Sequence, residues 1–343
     1  MTKDKNTLKV FHIIPSDVLG GVEIAAIRAE KEIKKFISYD LFIINPQASG
    51  FIEKTLNLSK FLWTILKEPE PILVTSLWPS HIAGCIISIF KRKSHWVPFY
   101  HSSVHFSFLD SSLSKLSMRF CTNALADSRK TKDFVRSFST SMNIQIVPYI
   151  FDILNDIDHK KAPGFKSIDF IWIGRDDKNK NLSGFVKFCE YLKDLGEEIA
   201  ITIISSTDIE PSLLIRISKI KNISVYRDLN WEETQYYLSK SKLLMCTSFK
   251  EGFSMVAYEA ICHGCLPCGS LVGEVHQIIN RSTPRLDDFT DNSFQNFYHE
   301  AKTFISNDSK AIEKLKNCAE SINAEYPKDY VHSFIQHTKN IIL

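Results

Sequence analysis

The chain has 343 residues, of which 44% are hydrophobic and 24% are charged, and its formal net charge is +3. This length is enough for two domains of ordinary size, each with its own core, and the composition is typical of soluble globular proteins. The charge excess is modest and the sequence has no helix-turn-helix, zinc-finger or base-stacking motif. These features argue against nucleic acid as a partner.

The first 150 residues alternate short apolar runs with helix-like segments, a pattern that predicts a doubly wound α/β domain. The first nine residues are polar and charged, so no secretory signal peptide is expected. Six strands are predicted in this part of the chain, at residues 10–14, 39–44, 72–76, 96–100, 124–126 and 144–147.

Residues 72–90 allow two interpretations, because these nineteen residues contain no Asp, Glu, Lys or Arg. A membrane-spanning helix is one interpretation. However, Trp78-Pro79-Ser80-His81 interrupts the stretch, and proline disfavours one continuous helix. The sequence therefore predicts a strand at 72–77, a turn, and then a helix that ends at Phe90.

The rest of the chain shows the same alternation and predicts a second α/β domain. Its predicted strands lie at residues 168–173, 200–204, 223–226, 243–246 and 266–268. The polar residues 155–166 are expected to form a surface connection between the two strand sets.

The most informative motif runs from Ser248 to Glu259. It places two carboxylates, Glu251 and Glu259, on either side of a turn at Gly252 that opens a helix. The first N–H groups of that helix, near Ser254, could bind a phosphate without a basic side chain. Glu259 could accept hydrogen bonds from vicinal hydroxyls, as carboxylates do for a ribose.

A second motif, Gly174-Arg175-x4-Lys180, directly follows the apolar run 168–173. The preceding strand would place this loop at the carboxyl edge of a sheet, where α/β proteins bind ligands. Lys178 is an alternative to Lys180 as the second cation. Asp176-Asp177 is expected to orient the basic side chains.

The block Glu251-x7-Glu259, with its Gly-Phe-Ser core, resembles the signature of glycosyltransferase family 4, the retaining GT-B sugar transferases. Gly174-Arg175-x4-Lys180 resembles the family's Gly-Arg-x4-Lys, whose cations hold the nucleotide diphosphate. Gly20-Gly21 resembles the glycine loop that the family turns toward its reaction centre, and it is followed by the weaker candidate Glu23.

Two later segments also resemble the family. Gly264-Cys265-Leu266-Pro267 resembles its Gly-x-Pro strand, and Gly273-Glu274-Val275 resembles its Gly-Glu loop. The sequence differs from the family pattern at two places. Arg227-Asp228 replaces the usual glycine beside the nucleotide base, and Val272-Gly273 replaces the usual Gly-Gly, so base and sugar contacts are expected to differ.

The resemblance implies an α/β GT-B fold, with two Rossmann-like doubly wound domains facing a central cleft. Residues 1–150 would form the acceptor-side domain and residues 151–327 the nucleotide-sugar-binding domain. Residues 328–343 would form a helix that returns to the N-terminal domain. The interdomain linker would lie at residues 148–152.

The resemblance also implies roles for single residues. Glu251 would hold sugar hydroxyls, Glu259 the ribose, and Arg175 and Lys180 the diphosphate. His101 resembles the family histidine that approaches the donor sugar, with His105 as an alternative. The implied catalytic residues are Glu251, His101, Arg175 and Lys180. The implied donor-binding residues are Gly21, Gly174, Arg175, Lys180, Glu251, Gly252, Phe253, Ser254, Met255, Val256 and Glu259.

No metal and no cofactor is expected, since the nucleotide sugar is a co-substrate and the sequence has no Asp-x-Asp at a strand end in its N-terminal half. Cys262-x2-Cys265-x2-Cys268 could be read as a metal cluster. A second ligand pair with suitable spacing is lacking, so buried cysteines in a reducing compartment are the preferred interpretation.

Charge is divided unevenly along the chain. Residues 1–150 carry 19 Lys and Arg against 12 Asp and Glu, whereas residues 151–343 carry 23 against 27. A basic acceptor-side domain would favour phosphate-bearing lipid carriers or an anionic membrane surface. The local candidates are Lys91-Arg92-Lys93 beside Trp96 and the apolar series Phe106, Phe108, Leu109, Leu113, Leu116 and Phe120. A solvated helix end for the basic cluster and an ordinary packed helix for the apolar series are the preferred interpretations.

The resemblance predicts a cytoplasmic enzyme, with the inner face of the plasma membrane as an open alternative. It would transfer a sugar, from a UDP-sugar by preference, to a glycan or polyprenyl-phosphate-linked acceptor in bacterial surface polysaccharide or lipopolysaccharide synthesis. A nucleotide-sugar 2-epimerase and a non-catalytic GT-B-like partner subunit are the alternatives.

Overall fold

The computed structural model describes residues 9–17, 20–46, 50–103, 108–151, 166–270, 272–279 and 283–341. The chain divides into two compact units. Unit 1 contains residues 1–151 and 328–343, and unit 2 contains residues 152–327. His105, Phe106, Asp152 and the surface connection expected at 155–165 lie outside the described residues.

Unit 1 contains a parallel sheet of six strands in the order β2-β1-β3-β4-β5-β6. Its central strands are buried apolar runs, which is the pattern expected where helices cover both faces of a parallel sheet. The strands are β1 (Lys9–Ser16), β2 (Ser38–Asn45), β3 (Ile72–Ser76), β4 (His95–Tyr100), β5 (Asn123–Ala126) and β6 (Asn143–Ile146).

Each of the first five strands is followed by a helix that leads to the next strand. The sixth helix of unit 1 comes from much later in the chain. The helices are α1 (Gly21–Ile33), α2 (Phe51–Lys67), α3 (Trp78–Phe90), α4 (Phe108–Phe120), α5 (Arg129–Arg136) and α13 (Tyr330–Lys339).

Two fully buried aromatic side chains hold α13 against the sheet of unit 1. The Tyr330 ring stacks on Tyr149 at 5.4 Å, and its backbone N–H donates to the Ile150 carbonyl at 2.6 Å. The Phe334 ring lies 5.9 Å from both His12 and Tyr39. Aromatic burial of this kind is a large stabilising contribution, so α13 belongs to the core of unit 1.

Unit 2 contains a parallel sheet of five strands in the order β11-β10-β7-β8-β9. The reversal of strand order at β7 and β10 makes a switch point, the place where open α/β sheets bind ligands at their carboxyl ends. The strands are β7 (Ile168–Gly174), β8 (Ile201–Ser205), β9 (Ile223–Arg227), β10 (Ser241–Cys246) and β11 (Leu266–Gly269).

Seven helices surround this sheet in the described part of unit 2. Several begin with a side chain that accepts from the first turn, such as Asn181 before α6 and Asn230 before α8. The helices are α6 (Leu182–Asp194), α7 (Pro211–Ile217), α8 (Trp231–Lys240), α9 (Met255–Cys262), α10 (Glu274–Ile279), α11 (Asp291–Ile305) and α12 (Asp308–Glu325).

The uncharged stretch 72–90 forms β3 and α3, as predicted, but the break between them is shorter than expected. Leu77 alone separates the two elements, with a φ of 67°. Trp78 and Pro79 already belong to the first turn of α3, where proline is tolerated because its missing N–H would have no partner. Within the described residues, no helix has the length and apolar character needed to cross a membrane.

Candidate active site

The two strongest sequence motifs lie side by side at the carboxyl edge of the unit 2 sheet. One follows β7, which ends at Gly174, and the other follows β10, which ends at Cys246. These strands are direct neighbours. A small surface depression between the loops is lined by Trp172, Lys180 and Glu251, among others.

Hydrogen bonds tie the two loops together. Asn179 contributes its carbonyl, which accepts from Phe249 N–H at 2.9 Å, and its amide, which donates to the Lys250 carbonyl at 2.9 Å. The Thr247 hydroxyl donates to the Lys180 carbonyl at 2.7 Å. Because these bonds fix the backbone on both sides of Lys180, its side chain is directed toward the second loop.

Lys180 and Glu251 form an ion pair. The Lys180 ammonium donates to Glu251 Oε1 at 2.5 Å. Their side chains are only 25% and 16% exposed, so this pair is screened less than a surface pair would be. The motif predicted both residues, and the structure places them in direct contact rather than at separate positions.

Arg175 lies on the same loop but is more accessible, with a side chain that is 57% exposed. Its guanidinium is 3.3 Å from Asp177 Oδ2, and Asp177 Oδ1 accepts from Lys180 N–H at 2.8 Å. Asp177 therefore contacts the Arg175 side chain but only the backbone of Lys180, so the expected orientation of both basic side chains is seen for Arg175 alone. Asp176 does not take this role, because its Oδ2 accepts from Glu210 N–H at 2.9 Å and fastens the loop to the start of α7 instead.

The N-terminus of α9 opens toward the same edge. Ser254 takes a φ of 70° directly before Met255, and its side chain makes no capping hydrogen bond to the helix. The first N–H groups of the helix, including that of Val256, are thus available to an anion at the positive end of the helix dipole. Val256 also lines the depression beside Lys180 and Glu251.

Phe253 contributes to this site through its backbone. Its side chain is 2% exposed and packs against Tyr258 and Tyr326, each ring at 6.1 Å. Its carbonyl accepts from Val275 N–H at 3.2 Å, and the Gly252 carbonyl accepts from Glu274 N–H at 2.8 Å. The loop of Gly252 and Phe253 is therefore held by the first turn of α10, whose first two N–H groups donate to it.

Gly273 makes this anchoring possible. It has a φ of 91°, and a Cβ at this position would lie 2.8 Å from Glu251 Cβ and 3.2 Å from Ser254 Cβ. Any larger residue would push Glu251 away from Lys180. Of the usual Gly-Gly pair, only the first glycine is replaced, by Val272. The second is kept as Gly273, and the packing requires a glycine at that position.

Glu259 lies further along α9 and has a partner that the sequence did not indicate. The indole N–H of Trp231 donates to Glu259 Oε1 at 3.0 Å. Trp231 is the first residue of α8, so two helices position this carboxylate. The only sequence signal was a tryptophan after a helix-capping asparagine, and this does not point to a partner 28 residues away.

His276 is a second residue that the motifs did not reveal. It is fully buried below the loops, and its Nε2 lies 3.1 Å from Cys246 Sγ. Burial lowers the pKa of His276 to about 4, so the ring is neutral at pH 7. This neutral ring adds no positive charge beneath Lys180 and Glu251.

In unit 1, two predicted site residues lie at the carboxyl edge of that sheet. Gly21 is the first residue of α1 after β1, and His101 follows β4 directly. His101 Nδ1 shares a hydrogen bond of 2.6 Å with the Tyr149 hydroxyl, and the two rings stack at 5.5 Å. Burial holds the pKa of His101 well below its usual value, so the imidazole is neutral. Glu23, the weaker candidate from the sequence, is buried, with only 8% of its surface exposed.

The cysteines do not form a ligand cluster in the described part of the chain. All eight are free thiols, and Cys265 and Cys268 are fully buried at β11. Burial raises the pKa of both thiols, which disfavours the thiolate that binds metals. Across the described residues, no group of three or more His, Cys, Asp or Glu side chains could hold a metal ion.

Comparison with protein families gives a match inside unit 2. Residues 155–285 match the family described as glycosyl transferases group 1. The chain is similar to group 1 glycosyltransferases. This stretch contains Arg175, Lys180, Glu251 and Glu259, so the match covers the site described above. A comparison with curated protein sequences gives no match.

Solved structures of glycosyltransferases share the fold over nearly the whole chain. Sucrose-phosphate synthase from Thermosynechococcus elongatus has a TM-score of 0.72 at 15% identity, covering 96% of this chain and 98% of that one. A trehalose-phosphate synthase from Burkholderia vietnamiensis has a TM-score of 0.72 at 8% identity, covering 98% and 99%.

A third similar structure is a mutant of TarM from S. aureus, with a TM-score of 0.65 at 14% identity. The match covers 83% of this chain but spans only 58% of the TarM chain. These likenesses establish that the chain has a GT-B fold built from two Rossmann-like domains, as predicted.

Proposed function

We propose that this protein is a family 4 glycosyltransferase that transfers a hexose-type sugar from a nucleotide diphosphate sugar with retention of anomeric configuration. A UDP-sugar is the favoured donor. TarM from S. aureus and the pneumococcal transferase GtfA, both structurally similar, were solved in complex with UDP.

The observation that carries this proposal is the juxtaposition of Lys180, Glu251 and the uncapped start of α9 at one sheet edge. A cation and free helix amides suit a diphosphate. A carboxylate beside them suits sugar hydroxyls. A nucleotide sugar combines these two chemistries in one molecule.

The proposed mechanism relies on electrostatic stabilisation of the leaving group. As the glycosidic bond breaks, negative charge grows on the diphosphate, and Arg175, Lys180 and the α9 amides stabilise that charge. Glu251 holds the sugar, and Glu259 holds the ribose hydroxyls. The departing phosphate oxygen takes the acceptor proton on the same face of the sugar, so no side chain is assigned as general base.

The acceptor in this proposal is a glycan or a polyprenyl-phosphate-linked glycan, used in bacterial surface polysaccharide or lipopolysaccharide synthesis. The basic unit 1 would receive it, with the neutral His101 near the donor sugar. The protein would act in the cytoplasm and make peripheral contact with the inner face of the plasma membrane.

The experiment that tests the donor is a thermal-shift panel of nucleotides and nucleotide sugars on the full chain. A ligand at about 100 times its dissociation constant stabilises by about 2.7 kcal/mol, which is readily measured. The best donor is then incubated with lipid-linked glycan acceptors, and the anomeric configuration of the product is read by NMR. An inverted product, or stabilisation by no nucleotide sugar, contradicts the proposal.

A donor-only incubation separates the closest alternative. If UDP-N-acetylglucosamine alone is converted to its 2-epimer, the protein is an epimerase and the transfer proposal fails.

Metal independence is tested in the same assay. Transfer should survive a chelator, because the proposed leaving-group stabilisation uses only side-chain cations and helix amides. Loss of transfer that magnesium or manganese restores would refute this cation-only account.

A further inference from the structure

Helix α3 of unit 1 exposes a continuous apolar face. Ile82, Ile86, Ile89 and Phe90 recur at the spacing of one helix side, and they are 38%, 50%, 66% and 80% exposed. The opposite side of the helix, with Gly84 and Ile87, is buried. The exposed fraction therefore increases toward the C-terminal end of α3.

Such a face is unusual for a helix on the surface of a globular domain. The outward side normally carries charged and polar residues, yet α3 contains no charged residue. Isolated exposed apolar residues need no explanation, but a contiguous apolar strip marks a contact with a partner or a membrane.

The C-terminal ends of two neighbouring helices lie at the same edge of the unit 1 sheet as the C-terminal end of α3. Because β3, β4 and β5 are parallel, α3 and α4 run in the same direction, and their C-termini lie at the same edge of the sheet. Phe120, the last residue of α4, is 66% exposed. The end of α2 also lies here, since the Lys91 ammonium donates to the Leu66 carbonyl at 3.0 Å.

The charge around this strip is mostly positive, with Glu68 and Glu70 at the end of α2 as the acidic residues. Lys91, Arg92 and Lys93 follow α3 directly, and Arg119 precedes Phe120. On α2, the Lys67 ammonium lies 4.8 Å from the centre of the Trp63 ring, and this indole is 62% exposed. Surfaces that enter an anionic lipid headgroup layer have protruding apolar side chains with cations beside them, often with a tryptophan at the interface.

We infer that the α3 docking face, formed by Ile86, Ile89, Phe90, Arg92, Lys93 and Phe120, binds the surface of an anionic lipid bilayer. The apolar side chains insert among the headgroups, and the cations bind lipid phosphates. This inference deepens the proposed membrane contact by naming the surface that makes it. It concerns the amino-terminal edge of the unit 1 sheet, whereas Gly21 and His101 lie at the carboxyl edge of the same sheet.

The test is co-sedimentation of the full chain with vesicles, in the absence of nucleotide and acceptor. Vesicles of phosphatidylcholine with phosphatidylglycerol should bind the protein, and vesicles of phosphatidylcholine alone should not. Binding should weaken from about 0.1 M to about 1 M salt, because the screening length falls from about 10 Å to about 3 Å. Since no donor is present, a failure here is separate from a failure of the sugar-transfer proposal.

Two double variants test the two parts of the face. Arg92→Ser with Lys93→Ser should weaken vesicle binding about 25-fold, because each basic residue near an anionic surface contributes a factor of about five. Ile89→Ser with Phe90→Ser should weaken binding at least about tenfold through loss of inserted apolar area. All four positions are exposed, so the variants should keep the wild-type thermal transition.

Matched controls come from unit 2. Ile215→Ser removes an apolar side chain that is 59% exposed, and Lys310→Ser with Lys316→Ser removes two exposed cations. Both controls should bind vesicles like the wild type. The inference is overturned if wild-type protein ignores anionic vesicles or if the test variants bind like the controls. It is also overturned if Ile89→Ser with Phe90→Ser abolishes a dimer in solution while vesicle binding is unchanged, since a second copy would then cover the face.

Discussion

Replacing Glu251 by glutamine should tighten the binding of free UDP while it slows sugar transfer. The Glu251 carboxylate accepts from the Lys180 ammonium at 2.5 Å, so a diphosphate that binds this cation competes with Glu251. Glutamine keeps the size of the side chain and removes the charge.

The size of the effect follows from the geometry of the pair. A carboxylate and a phosphate oxygen that share one ammonium lie about 5 Å apart, and their repulsion near a protein surface is about 3 kcal/mol. Partial exposure of both side chains reduces this value through solvent screening. We expect a net gain of about 1–2 kcal/mol, which is about five- to thirtyfold tighter UDP binding.

Isothermal titration calorimetry measures the affinity, and steady-state kinetics with the nucleotide sugar measure turnover. Turnover should fall about a hundredfold, since Glu251 is assigned to the sugar in the transition state. Glu197→Gln is the control, because Glu197 accepts from Lys302 at 2.7 Å in another Lys–Glu pair of unit 2. Unchanged or weaker UDP binding by Glu251→Gln would refute the idea that this carboxylate competes with the diphosphate.

Three other predictions concern binding and stability. Arg175→Ala should weaken UDP binding about tenfold to a hundredfold, as expected for a charge-assisted phosphate contact; calorimetry on Arg285→Ala, which removes an equally accessible arginine, should give the wild-type affinity. Trp231→Phe removes the N–H that holds Glu259, so the donor KM should rise about threefold to tenfold with little change in kcat, whereas a tryptophan that only packs would leave KM unchanged. Burial lowers the pKa of His12 and His81 to about 3 each, so below the ordinary value of 6.5 the unfolded chain binds protons that the folded chain does not. The free energy of unfolding should therefore fall as the pH is lowered, by about 1.6 kcal/mol per histidine between pH 6.5 and about pH 5, and denaturant titrations that give a flat profile would contradict this.

The sheet strands were predictable because buried parallel strands are continuous apolar runs. Residues 10–14, for example, were predicted as a strand and lie within β1. The turn expected at 78–81 was misplaced, because one residue, Leu77, takes a positive φ and lets α3 begin at once. Sequence patterns contain no strong signal for a non-glycine residue in that conformation.

The candidate site was predictable only as separate motifs. The spacing within each loop indicated Lys180 and Glu251, but their ion pair joins residues 71 positions apart and depends on β7 and β10 being neighbours. Trp231 and His276 were missed for a related reason. Each acts through a side-chain contact made by tertiary packing, and neither has a spacing relation to the motifs.

The packing of α13 determines the order in which the protein can be completed during synthesis. The sheet of unit 1 leaves the ribosome first, yet Tyr330 and Phe334, which fill its core beside Tyr149 and His12, emerge only after all of unit 2. Until then the nascent unit 1 presents an open apolar surface, of the kind that chaperones recognise and that promotes misassembly. The core of unit 1 can therefore be completed only after unit 2 has been synthesised.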